Sequence, residues 1–177
     1  MSLFQQKYRI DSARLKNWDY ATNATYFITI CVKDMAMAFG QIINGDMYLN
    51  DLGTIANNEW QKTAEIRADM NLKLDVFVVM PNHFHAIIAI GENRYNSFTD
   101  PHEEKGQFGP QAKNLASIVR GYKSAVSREA KAIYPDFKWQ AKYHDHIIRD
   151  KESYIHIHNY IINNPLNWQK DKFYMSK

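Results

Sequence analysis

Two strongly apolar runs, residues 72–80 and 85–90, flank the dipeptide Pro81-Asn82 in a chain of 177 residues. Proline lacks a backbone donor and asparagine tolerates turn geometry, so the break predicts two strands joined by a tight connection, the second starting near His83. Alternate residues of a strand share a face. His83 and His85 then project together while Phe84 enters the opposite layer. A sheet with one imidazole-bearing face and one apolar face is the frame that the remaining segments must accommodate.

Those segments carry their own signals. Residues 26–32 are β-branched and aromatic and read as a buried strand. Asn44-Gly45-Asp46, between Ile42-Ile43 and Met47-Tyr48-Leu49, reads as a hairpin turn because Asn and Gly tolerate positive φ. Behind a cap at Asn50 or Asp51, Leu52, Ile55, Ala56, Trp60 and Ala64 recur at helical spacing and predict a helix to about residue 68. A second helix is predicted from Asn114 to about Tyr134. Leu115, Ile118, Val119, Tyr122, Val126 and Ile133 fall on one side, with Lys113, Arg120 and Lys131 roughly opposite and Lys123 and Arg128 flanking. That basic face is either a solvated surface or a surface for phosphates. Phe137-Lys138-Trp139 reads as a short extended piece, and residues 151–163 as a helix stopped by Pro165. Residues 91–113 are polar, with Gly91, Pro101, Gly106, Gly109 and Pro110, and are expected to form a long loop or small insertion within one domain spanning 1–177.

Composition narrows the class. Apolar residues make up 45% and charged residues 23%, enough for a packed core, and 7 Gly with 5 Pro exclude low-complexity and collagen-like chains. The one cysteine, Cys31, lies in an apolar run and cannot pair within the chain, so a buried thiol in a reducing, cytoplasmic setting is expected. No apolar stretch is long enough to span a bilayer, and residues 1–9 lack the apolar core of a signal peptide, so no membrane partner is expected. The net charge of +3 is compatible with nucleic acid without specifying it.

Histidines carry the chemistry. A His-x-His strand presents two neutral nitrogen donors to one divalent ion, or two hydrogen-bonded structural imidazoles. On the last helix, His156 and Asn164 flank Tyr160 one turn in each direction, so a phenol lies between groups able to ligate a metal or orient its hydroxyl. The plainer alternative makes Tyr160 a core-edge residue and Asn164 a cap before Pro165.

Taken in order, residues 26–32, Val79-Met80-Pro81-Asn82-His83-Phe84-His85, Ile118-Val119-Arg120-Gly121-Tyr122-Lys123-Ser124, Trp139-Gln140, Tyr143-His144-Asp145-His146-Ile147-Ile148-Arg149 and Tyr160-Ile161-Ile162-Asn163-Asn164-Pro165 form a series. The chain in this respect resembles the REP-associated tyrosine transposases, a branch of the single-tyrosine HUH transposase superfamily, over about residues 20–168. The resemblance implies an α+β, ferredoxin-like fold, the HUH endonuclease core, with an antiparallel sheet carrying the histidine pair and the tyrosine helix lying against it. It implies that His83 and His85 hold Mg²⁺ or Mn²⁺, that Asn164 is an amide-type third ligand with His156 competing for that place, and that Tyr160 is the nucleophile.

The implied reaction is cleavage of single-stranded DNA at hairpin-forming, REP-like repeats through a 5′-phosphotyrosine, followed by strand transfer. Lys113, Arg120, Lys123, Arg128 and Lys131 become candidates for phosphate contacts. Phe137, Trp139 and Tyr143 are either base-stacking or core aromatics. His144 and His146 are expected to support the site or touch DNA rather than form a second metal centre, with His146 also an alternative ligand. Monomer and homodimer are both left open. A host protein that binds DNA hairpins without mobilising them is the alternative function, and a hydrolase using a metal-bound water is a third.

Overall fold

A computed structural model describes residues 3–4, 7–8, 15, 18–96 and 112–174. Its strands are β1 (Leu3–Phe4), β2 (Lys7–Tyr8), β3 (Ala24–Cys31), β4 (Gly40–Ile43), β5 (Asp46–Leu49), β6 (Leu72–Val79), β7 (His83–Ile90) and β8 (His144–Ile148). Its helices are α1 (Asp51–Gln61), α2 (Thr63–Ile66), α3 (Leu115–Ala130) and α4 (Lys151–Ile162). The insertion expected at 91–113 falls largely on residues 97–111, outside the described residues.

The central sheet is antiparallel with strand order β6-β7-β3-β8. β3 and β7 pair along their whole length, from Ala24 opposite Ile90 to Cys31 opposite His83. This register sends Tyr26, Ile28 and Ile30 with Phe84, Ala86, Ile88 and Ile90 to one face, where all are fully buried against α1 and α3. Trp60 and Tyr122 meet the Phe84 ring there, at centroid distances of 4.9 and 5.2 Å. The opposite face carries Phe27, Thr29, His83, His85 and Ile87, and α4 packs on it through Ile157 and Ile161. The α+β antiparallel sheet with helices on it is the architecture expected from the sequence.

Local chemistry sets the element ends. Asn50, Asn114 and Asp150 accept hydrogen bonds from Gly53, Ser117 and Ser153 amides, capping α1, α3 and α4. Asn44 and Gly45 take φ of 53° and 88°, the positive values a two-residue hairpin between β4 and β5 requires.

Three details differ from expectation. The helix expected to run to residue 68 breaks after α1, and Arg67 leaves helical geometry before a short turn. α3 ends at Ala130, where the Lys131 amide bonds back to the Arg128 carbonyl, so Ile133 lies beyond the core stripe and is 52% exposed. Residues 144–148 form edge strand β8, hidden in the sequence because its first half is polar and an edge strand needs no apolar alternation on both faces. Among the described residues no helix is long and apolar enough to cross a membrane.

Phe84 ties the histidine strand to the helical layer. Phe84→Ala is expected to cost about 3–5 kcal/mol of stability, read from denaturant unfolding. A loss below about 1 kcal/mol would show that this contact does not anchor β7.

Candidate active site

β7 begins directly after the Pro81-Asn82 turn, so His83 and His85 occupy its first alternate positions and face α4. Their ring centroids are 4.4 Å apart. Each is held from behind. His83 Nδ1 lies 2.8 Å from Asn82 Oδ1, and His85 Nδ1 lies 2.8 Å from Thr29 Oγ1, all of these residues being buried. α4 delivers Tyr160, whose hydroxyl is 3.2 Å from His85 Nε2 and donates to Asp171 Oδ2 at 2.9 Å. The phenol and the paired imidazoles therefore meet within one chain.

Behind Pro165 the chain turns back through a 3₁₀ turn at Trp168–Lys170 and lays its last described residues over the histidines. Phe173 packs on His83 at 4.6 Å and on His85 at 5.9 Å. Asp171 Oδ1 accepts from the Phe173 amide at 2.7 Å, while Oδ2 takes both the Tyr160 hydroxyl and Asn164 Nδ2, the latter at 2.6 Å. One carboxylate thus joins phenol, amide and histidine layer.

Among the described residues, His83, His85 and Asp171 offer ligand atoms that all lie within 4.8 Å of one another. His83 Nε2 and Asn164 Oδ1 are buried without a hydrogen-bond partner. Such orphaned acceptors are costly unless something binds them. Two imidazole nitrogens with a carboxylate and an amide oxygen form a donor set able to hold a divalent cation.

The electrostatics agree with that use. Burial lowers the His83 pKa to about 4, against a smaller opposing pull from Asp171. Burial, reinforced by His83 and Lys172, holds His85 well below its usual value. Both rings are neutral at pH 7, the form that ligates metal. Tyr160 is pushed up, first by burial and then by its bond to Asp171, so the resting hydroxyl keeps its proton. Burial raises Cys31 to about 11, and its thiol is inert.

Asp171 was missed in the sequence because it stands alone between two lysines, 11 residues beyond Tyr160, with nothing in spacing or pattern to single it out. His156 is exposed and is not one of the clustered donors, but it lines an open cleft of about 320 Å³ together with Tyr160, Asn164 and Asp171. His144 and His146 are exposed on β8, and His146 pairs in register with Phe27.

The basic residues in and beside α3 lie in the layer on the far side of the sheet from Tyr160. Arg120, Arg128 and Lys131 are exposed there, Arg128 beside Glu129. Lys113 is instead paired with Asp69, and Lys123 Nζ donates to the carbonyls of Gln140 and Ala141. Phe137, Trp139 and Tyr143 are partly buried against the main core, and Trp139 Nε1 donates to the Lys123 carbonyl.

The lowered His83 pKa has a sign that can be tested on metal-free protein. The unfolded ring titrates near 6.5 and the folded ring near 4, so its contribution to stability is complete above pH 6.5. It is lost as pH falls toward 4, because the unfolded chain takes the proton first. His83→Gln is expected to flatten the fall in thermal midpoint across that window. Parallel curves for variant and wild type would count against a neutral buried His83.

No family model matches the chain. An uncharacterized protein of Haemophilus influenzae is 39% identical over 168 residues, covering 93% of this chain and 92% of that protein. A solved structure of a REP-associated tyrosine transposase bound to a REP hairpin is similar with a TM-score of 0.60, at 19% identity, over 92% of this chain and 77% of that chain. The chain belongs to the family of the Haemophilus influenzae protein and has the fold of a REP-associated tyrosine transposase.

Proposed function

We propose that the protein is a metal-dependent, transposase-like endonuclease and strand transferase acting on single-stranded DNA that forms hairpins. The observation that carries this reading is the meeting of the Tyr160 hydroxyl with His85 Nε2 at 3.2 Å and Asp171 Oδ2 at 2.9 Å. A tyrosine serving only as a core-edge residue would need neither partner. The transposase likeness, in a structure that holds a REP hairpin, supports hairpin DNA as the substrate class.

His83 and His85 would hold the divalent ion through Nε2, with Asp171 and Asn164 supplying oxygen donors. When bound, a divalent ion supplies Lewis-acid polarisation of the scissile phosphate and offsets charge on the leaving oxygen. Tyr160 Oη attacks phosphorus, its proton moving toward Asp171 Oδ2. The bond from phosphorus to the 3′ oxygen breaks, the strand leaves with a 3′-hydroxyl that recovers the proton, and a 5′-phosphotyrosine remains. A 3′-hydroxyl of another strand reverses the exchange and joins new DNA. Because each step trades one phosphodiester for another, no water is consumed.

The resting phenol, pushed up by burial and by Asp171, is a poor nucleophile. Metal and substrate therefore have to change its surroundings before attack. Lys113, Arg120, Lys123, Arg128 and Lys131 would contact phosphates of a bound stem, which would compete with the pairing of Lys113 to Asp69, Lys123 to two carbonyls and Arg128 to Glu129.

Incubation with a hairpin-bearing oligonucleotide and Mn²⁺ is expected to yield a covalent protein–DNA adduct. Tyr160→Phe should reduce that adduct by about 10³-fold or more while leaving DNA affinity nearly unchanged. Binding without an adduct would favour the host hairpin-binding alternative, and free 5′-phosphate without an adduct would favour a hydrolase. Separately, Asp171→Asn is expected to slow adduct formation by about 10²-fold or more. Wild-type rates in that variant would remove Asp171 from the proton path.

A further inference from the structure

Asn82, at the turn that opens β7, is fully buried, and every polar atom of its side chain has a partner. Its Nδ2 donates to the carbonyl of Met35 at 3.3 Å and to that of Phe173 at 2.9 Å. Carbonyl oxygens only accept, so the atom facing them must be the amide nitrogen. Oδ1 is thereby turned toward His83 Nδ1, 2.8 Å away. An amide oxygen only accepts as well. Nδ1 must therefore carry the hydrogen, and the lone pair of the neutral ring is left on Nε2, the buried atom without a partner.

The two carbonyls that set this orientation come from segments far apart in sequence. Met35 follows Asp34 in a turn where both take left-handed φ, 54° and 55°, a conformation that a β-carbon disfavours. The Met35 amide bonds to the Val32 carbonyl at 3.2 Å, and the Val32 amide bonds to the Asn82 carbonyl at 2.9 Å. The strained turn and the Asn82 backbone are thus joined into one unit. Phe173 brings the C-terminal segment, which also packs on the ring it helps to orient.

The geometry points to Asn82 as a positioning residue that locks His83 in the Nδ1–H tautomer and so presents Nε2 as a metal donor. Without this acceptor, His83 could place its hydrogen on Nε2 and occupy the donor position with a proton. The inference rests on His83 being a ligand, as proposed above, but its primary readout is independent of DNA chemistry.

The test is nitrogen NMR of metal-free, histidine-labelled protein above neutral pH, paired with Mn²⁺ binding followed by electron paramagnetic resonance. In wild type, His83 is expected to show a protonated, pyrrole-type Nδ1 and a pyridine-type Nε2. Asn82→Leu should populate the other tautomer and weaken Mn²⁺ binding about 10- to 100-fold. Asn82→Asp keeps an acceptor for His83 while losing both donations to carbonyls, and should retain the tautomer and bind Mn²⁺ within about threefold of wild type.

A wild-type His83 protonated at Nε2 would overturn the inference without any substitution, even if Asn82→Leu fails to fold. So would Asn82→Leu binding Mn²⁺ as wild type does. An Asn82→Asp variant as impaired as Asn82→Leu would overturn it too, by assigning the effect to the carbonyl clamp. Absence of a DNA adduct, by contrast, would count against the proposed reaction and leave the tautomer result standing.

Discussion

The antiparallel ladder between β3 and β7 is the constraint on which the rest depends. Its register sends Phe84 into the aromatic core with Trp60 and Tyr122, and the same alternation sends His83 and His85 to the other face. A slip of one residue would exchange those faces, burying imidazoles among aromatics and leaving Phe84 against α4. Apolar burial on one side is what makes the histidine position on the other side unambiguous. Stability and chemistry share one strand.

On the histidine face the governing effect is desolvation. It keeps both imidazoles neutral and raises the Tyr160 hydroxyl at the same time. For the reaction proposed above these consequences pull apart: neutral rings are ready to ligate, while a protonated phenol is not ready to attack. Asp171 lies between them, accepting from the phenol and from Asn164 while anchored by the Phe173 amide. Its two oxygens tie the chemistry of α4 to the segment that follows it.

That arrangement explains why charge on the surface of α3 is a weaker guide to mechanism than the buried polar groups. α3 contributes its apolar stripe to the core and turns its cations away from Tyr160. Lys113 is paired with Asp69, Lys123 with two carbonyls and Arg128 with Glu129. Helical periodicity reports which side of a helix is polar. It does not report which layer of the domain the helix occupies.

Much was legible before any coordinates. Alternation in 83–85 announced the two faces, the Asn-Gly pair announced the hairpin, and the cap at Asn50 or Asp51 announced the first long helix, because each is a local effect of backbone sterics or side-chain hydrogen bonding. The proximity of Tyr160 to the histidines entered as an implication of family resemblance, since 75 residues separate it from His85 and no local rule spans that distance. Edge strand β8, the exposure of Ile133 and the role of Asp171 depended on packing. The chain by itself determined which residues alternate, cap and turn, as those preferences act within a few residues. Only the folded molecule decided that an isolated aspartate and two backbone carbonyls from distant segments complete the site, because that requires the chain to close on itself.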